Sequence, residues 1–195
     1  MKRNIFLAFV LTLLVITTSD VSAHCDSMEG PVVKASQKAL ETGNINYVLV
    51  WVRAEDEKEL KAMFDKVNVV RSLSPVAKEL ADMYFFETVV RVHRMGEGVG
   101  YTGLKPAGYQ IEEGIEAADI AITENSLDPI YAHLNKVQNP KIEDYFAELQ
   151  SKKDYDVNDL KAGREYVEAY VHFIHYVEAQ FGGKESENTH NEHKH

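Results

Sequence analysis

Residues 45–70 read INYVLVWVRAEDEKELKAMFDKVNVV, and whether this stretch is a strand or a helix decides the fold class. The patch from Ile45 to Val52 is dense in Val and aromatic residues, as a buried strand would be. The run does not stop there. Leu60, Met63, Phe64 and Val67 follow at spacings of three and four, the period of one helix face, so a helix is expected with a short break near Ala54.

Outward from this segment the helical period holds almost everywhere. Pro31 opens a stretch through Leu40 that stops at Gly43. Ser74-Pro75 caps a helix from about Val76 to Met95, with Val76, Leu80, Met83, Glu87 and Val90 in line as its expected apolar stripe. The loop GEGVGYTGLKPAG, residues 96–108, holds five Gly and one Pro. Helices are then expected near Ile111 to Glu124, near Pro129 to Val137, and from Pro140 to about Lys152. The last and longest runs from near Val157 to about Phe181, where Gly182-Gly183 ends it. The reading is all-α, a helical bundle of about six to seven helices with short connections that favour antiparallel neighbours. The tail 184–195 is polar and expected to be disordered, and three His in its HNEHKH end can hold a metal loosely.

Residues 1–23 read as a secretory signal peptide: Lys2 and Arg3, an apolar run from Ile5 to Ile16, then Val21-Ser22-Ala23 at the cleavage position. The apolar run is shorter than the roughly 20 residues that span a bilayer. The expected mature chain is therefore exported, to the periplasm or beyond the cell, with one helical domain over 24–183. Its net charge is −10 over 195 residues, and −11 once Lys2, Arg3 and Asp20 are gone. Such a balance argues against nucleic acid and against an anionic membrane surface as partners. A single Cys forms no internal disulfide, which leaves it for an intermolecular bond in a homo-oligomer, a metal or redox chemistry.

Two groups of residues carry candidate chemistry. The last helix contains REYVEAYVHFIHYVE, in which Glu165, Glu168, His172 and His175 share a side, flanking a core stripe of Leu160, Val167, Val171 and Ile174. Glu168, His172 and His175 can present ligands to one metal, or form a polar seam between helices. Glu87, in the expected stripe of its own helix, needs a partner there. Arg91 or Arg94 would make a structural ion pair; His172 or His175 across an interface would make it a ligand. His93 projects from a different side. The Gly-rich loop matches neither phosphate-binding fingerprint, so its glycines read as turns, with Tyr101 and Lys105 near a pocket mouth.

The mature terminus differs in kind. Cleavage after Ala23 puts an α-amine, the His24 imidazole, the Cys25 amide nitrogen and the Cys25 thiolate within two residues. Fused chelate rings of nitrogen and sulfur suit nickel or copper in a planar array, or zinc in another geometry. The amine titrates at about pH 7.7–8.0, so a metal can displace its proton near neutrality.

The segments HCDSMEGPVV, YFFETVVRVHR, YTGLKPAG and AGREYVEAYVHFIHYVE resemble a family of exported bacterial helical proteins of unknown function, over nearly all of the chain from His24 to about Gln180. That likeness implies a helical fold outside the cytoplasm and no established activity. A shorter stretch, His24-Cys25-Asp26-Ser27-Met28-Glu29-Gly30, is similar to the metal-binding start of nickel superoxide dismutase, His-Cys-Asp-x-x-Cys-Gly. The resemblance implies metal ligation by His24 and Cys25; on our reading Glu29 or a bundle His would complete the shell. Glu29 stands where that family has its second Cys. Two sulfurs help bring nickel into range for superoxide, so this departure favours metal binding, with a metal- or thiol-dependent redox enzyme and a non-catalytic interaction module as the alternatives.

Overall fold

The computed structural model describes residues 24–135 and 137–188; the signal segment and the HNEHKH end lie outside them. Among the described residues about 70% are helical, in eight α-helices of which six have seven or more residues, so the all-α bundle is the observed fold. The helices are α1 (Pro31–Thr42), α2 (Asn46–Leu49), α3 (Glu57–Arg71), α4 (Pro75–Gly96), α5 (Glu113–Glu124), α6 (Asp128–His133), α7 (Pro140–Lys152) and α8 (Leu160–Asn188). Among the described residues no helix is long and apolar enough to cross a membrane.

The opening stretch is helical but divided. α2 stops at Leu49, a turn follows, and a 3-10 turn over Ala54–Asp56 leads into α3. The cause comes from a helix distant in sequence. The Arg164 guanidinium of α8 donates to the carbonyls of Leu49 and Val52, both at 3.2 Å, and to the Glu57 carboxylate at 2.7 Å. Carbonyls freed at the end of a helix need such donors.

Local capping fixes the starts of α4, α7 and α8. The Ser74 hydroxyl accepts from the Ala77 N–H at 3.1 Å, and the Asn139 side chain accepts from Lys141 N–H at 3.1 Å, each ahead of a Pro in the first turn. Asp159 caps α8 by accepting from the N–H groups of Lys161 and Ala162. α8 does not end at Gly182-Gly183 as the glycines suggest, but continues to Asn188. A helical Gly costs about 1 kcal/mol, which good helix formers on either side can outweigh.

The helices form two lobes with separate cores. In the first, α1 and α3 pack on α4 around Val33, Leu49, Leu60, Phe85 and Val89; in the second, α5 and α7 pack on α8 around Ile115, Ile142, Leu149, Phe173 and Val177. Trp51 packs against both cores and meets Tyr170 of α8 edge-on, ring centres 5.7 Å apart. Gly163 brings α8 against Val50: a Cβ there would fall 2.3 Å from Val50 Cγ1.

The expected face of α4 is largely turned to solvent, and that of α8 holds in part. On α4 the buried residues include Ala81, Phe85, Val89 and Val92, while Val76, Leu80 and Met83 are exposed. α4 carries apolar residues on two sides, and only one meets α1 and α3. On α8, Val167 and Ile174 are buried as expected, joined by Tyr170, Phe173 and Val177. Glu165, Glu168 and His172 are exposed, so they line the solvent edge and not a buried seam, while His175, though solvent reaches it, also turns toward the interior.

Candidate functional site

Residues 24–30 form a tight turn lodged between the lobes. The Ser27 N–H donates to the His24 carbonyl at 3.2 Å, and the Gly30 N–H to the Ser27 carbonyl at 2.9 Å. Gly30 is required by close approach, since a Cβ on it would lie 2.1 Å from the His24 carbonyl oxygen. The Gly-rich loop holds this segment as a second strand would: Lys105 N–H donates to the Asp26 carbonyl at 2.8 Å, and Met28 N–H to the Lys105 carbonyl at 3.0 Å. Glu29 reaches the same loop, accepting from the Gly108 N–H at 2.9 Å. The loop thus cradles the amino-terminal segment.

His24 is buried. Its Nε2 stands 3.0 Å from Asp119 Oδ2 and 3.1 Å from the Tyr170 hydroxyl, which itself donates to Asp119 Oδ1 at 3.1 Å. Because the Tyr170 proton goes to Asp119, both oxygens near Nε2 offer lone pairs, and the network assigns the ring proton to Nε2. Nδ1, the nitrogen nearer the backbone, is then the basic one. Burial first, then the Asp119 carboxylate, pushes the Tyr170 phenol well above its ordinary range.

Cys25 lines a cavity of about 10 Å³ with His24, Arg94, Glu97, Tyr170 and His175, room for about one water molecule. Burial, and next the Glu97 carboxylate, push its thiol well above the ordinary range, against an opposing pull from Arg94. At neutral pH the sulfur therefore keeps its proton. His175 comes to the same cavity from α8, its imidazole held below the usual range mainly by burial and so neutral. Asp26, wholly buried, lies 3.6 Å from Arg94 Nε, and Arg94 donates to Glu97 at 2.6 Å.

Glu97 also faces a larger, open cleft of about 320 Å³ lined by Trp51, His93, Arg164, Glu168 and His172 among others. His93 Nδ1 donates to the Trp51 carbonyl at 2.8 Å, and its Nε2 lies 3.4 Å from Glu97. Glu168 and His172 therefore belong to this cleft, and His175 to the Cys25 cavity. Glu87 is apart from both: its carboxylate accepts from the Tyr101 hydroxyl of the loop. Arg94 serves Asp26 and Glu97 instead, and Arg91 lies 3.9 Å from Glu59.

The seven residues proposed from sequence thus separate. His24, Cys25 and His175 come together; Glu168 and His172 lie on the neighbouring cleft; Glu29 and Glu87 are engaged by the loop. Among the described residues no group of three or more His, Cys, Asp or Glu side chains is placed to hold a metal ion. Sequence reasoning missed Asp26, Glu97, Asp119 and Tyr170. Asp119 sits in the helical run EGIEAADIAITE with no motif around it, and only the tertiary contact with His24 reveals it.

No curated protein and no solved structure matches the chain. The model of a family of unknown function (DUF6448) matches residues 29–176, a span that takes in α1 to α7 and more than half of α8. The chain belongs to this family of unknown function.

Proposed function

We propose that the protein is exported, is cut after Ala23, and binds one transition-metal ion (nickel, copper or zinc) through its new amino terminus at the junction of the lobes. The donors would be the α-amine, His24 Nδ1, and the amide nitrogen and thiolate of Cys25, with His175 of the same cavity able to add a further nitrogen. The observation that carries this reading is the 3.0 Å contact between His24 Nε2 and Asp119. A carboxylate on the far nitrogen of an imidazole fixes the tautomer and raises the basicity of the near one, the arrangement usual behind metal-bound histidines. Two of the proposed donors are backbone nitrogens, so the site does not require three side chains to converge. Glu29 drops out of the donor set because Gly108 already holds it.

The raised thiol favours binding over thiol catalysis. A neutral sulfur is a poor nucleophile, but a metal can displace its proton, which makes affinity rise steeply with pH. The test is metal titration of the chain beginning at His24. Asp119→Asn should weaken binding by about 10- to 100-fold, and Cys25→Ser should weaken it further. Equal affinity in Asp119→Asn and the parent would overturn the assigned role of the His24–Asp119 pair.

A further inference from the structure

Among the described residues no helix of one lobe packs along a helix of the other, and the chain crosses between the lobes once. Tyr101 and Leu104 still pack on the first core, while Ile111 packs on the second. The crossing is therefore the exposed turn 106–110, where Gly108 has a φ of +74° and the Tyr109 N–H donates to the Pro106 carbonyl at 3.2 Å. A hinge needs a few loop residues able to absorb backbone rotation. Parts of a chain that share no extensive packed interface move against one another.

The ties between the lobes are strung along α8. Just ahead of it, the Asn158 side chain accepts from the amides of Asn44 at 3.3 Å and Asn46 at 3.1 Å. Arg164 then holds the Leu49 and Val52 carbonyls and Glu57. Tyr170 meets Trp51 and His24, and His175 shares the cavity with Cys25. Beyond these, Glu178 and Phe181 lie against Gly114, just past the crossing. Arg164 thus stands about 16 Å along the helix from His175, at 1.5 Å per residue, at the end of the junction remote from the crossing. The ties at this end are mainly polar and in reach of solvent.

The cavity lies between the two ends. Its walls come from both lobes, Cys25 and Arg94 from one, Ile115 and His175 from the other. It has room for about one water molecule, too little for a metal ion with its hydration shell, and His24 beside it is only 5% exposed.

We propose that the lobes open about the turn 106–110 to admit the metal ion and close over it, with Arg164 as the latch. The proposal rests on the reading of the amino terminus as a metal site. Closure returns His24 to Asp119 and brings the His175 wall over the ion. Opening then governs capture and release alike, so a weaker latch raises both rates and leaves the dissociation constant little changed.

Two measurements on the chain beginning at His24 test this. Alkylation of Cys25 by iodoacetamide reads the opening in metal-free protein; stopped-flow loading with nickel, and release into excess EDTA, read the passage of the ion. Arg164→Gln should speed all three by about 10-fold, the effect of losing hydrogen bonds to a charged group. Glu57→Gln, which spares the carbonyl contacts, should act in the same direction to a smaller extent. Asp82→Asn, which breaks the ion pairs with Arg71 and Lys78 inside the first lobe, should leave all three unchanged. Circular dichroism checks that each variant keeps its helix content. Alkylation at the parent's rate in both latch variants would overturn the proposal whether or not metal binds, and equal acceleration in Asp82→Asn would assign the effect to lost stability and overturn the latch. Nickel rates unmoved in variants that alkylate faster would overturn the gate alone. Faster alkylation in a protein whose parent binds no nickel, copper or zinc would overturn the metal reading, and the loading step with it.

Discussion

His24 and Asp119 belong to opposite lobes of the molecule, and the 3.0 Å between His24 Nε2 and Asp119 Oδ2 fastens the amino-terminal segment to α5. Through this contact a residue beside the expected cleavage point becomes part of the interior. The same contact orients the imidazole with its basic nitrogen toward its own backbone, which links packing to the proposed chemistry.

Gly30 is the steric hinge of the segment. Gly30→Ala places a methyl group against the His24 carbonyl oxygen, and the turn must open to admit it. Overpacking of this kind costs about 1–3 kcal/mol. Chemical denaturation should show the loss, and hydrogen exchange should localise the new mobility to residues 24–30. Unchanged stability and protection would show that the turn opens without cost.

Gly163 lets α8 approach Val50 closely. A Cβ there falls 2.3 Å from Val50 Cγ1 and 2.8 Å from the Tyr155 ring, so Gly163→Ala should destabilise by about 2 kcal/mol. Adding Val50→Ala removes the nearest obstacle and should recover part of that loss, a coupling that a double-mutant cycle measures. Additive costs would mean that the two residues are not in competition for the same space.

Glu57 makes stability pH-dependent. Its hydrogen bond with Arg164, and next that with Lys61, hold its carboxyl below the ordinary 4.5. The folded state therefore binds this proton less readily than the unfolded one. The stabilisation is complete above the unfolded value and is lost as pH falls through the folded one. Denaturation curves from pH 7 down to about pH 3 should fall less steeply for Glu57→Gln than for the parent; parallel curves would remove Glu57 from the acid response.

Cys25 should react slowly. With its thiol raised by burial and by Glu97, alkylation by iodoacetamide at pH 8 should be much slower in the folded metal-free protein than in denaturant. Glu97→Gln should speed it by removing the negative charge that raises the thiol most. Equal rates in folded and unfolded protein would contradict the described environment.

The sequence discloses the parts of this structure that local chemistry determines. Ser74-Pro75, Asn139-Pro140 and Pro31 with Gly43 mark helix ends because a cap is made within a few residues. The break after Leu49 is visible only as a hint, since its cause is Arg164 from another helix. α4 misleads because Val76, Leu80 and Met83 repeat as regularly as the true core face, and periodicity cannot say which of two apolar faces meets the rest of the fold. For the site, His24, Cys25 and His175 stand out by residue type. Asp119, Glu97 and Tyr170 do not, because their importance comes only from where the two lobes bring them together.

The central claim is that a free amino terminus at His24 completes a metal site, and it is tested most directly by comparing two forms of the untagged protein. One is the exported protein as the cell delivers it; the other keeps Ala23 ahead of His24. Native mass spectrometry with elemental analysis reads the first residue and the bound metal together. The account predicts an exported chain that begins at His24 with close to one nickel, copper or zinc ion, and loss of that metal in the Ala23-extended form at unchanged helix content. A chain that begins elsewhere, no metal after metal-replete growth, or equal metal in both forms would contradict it.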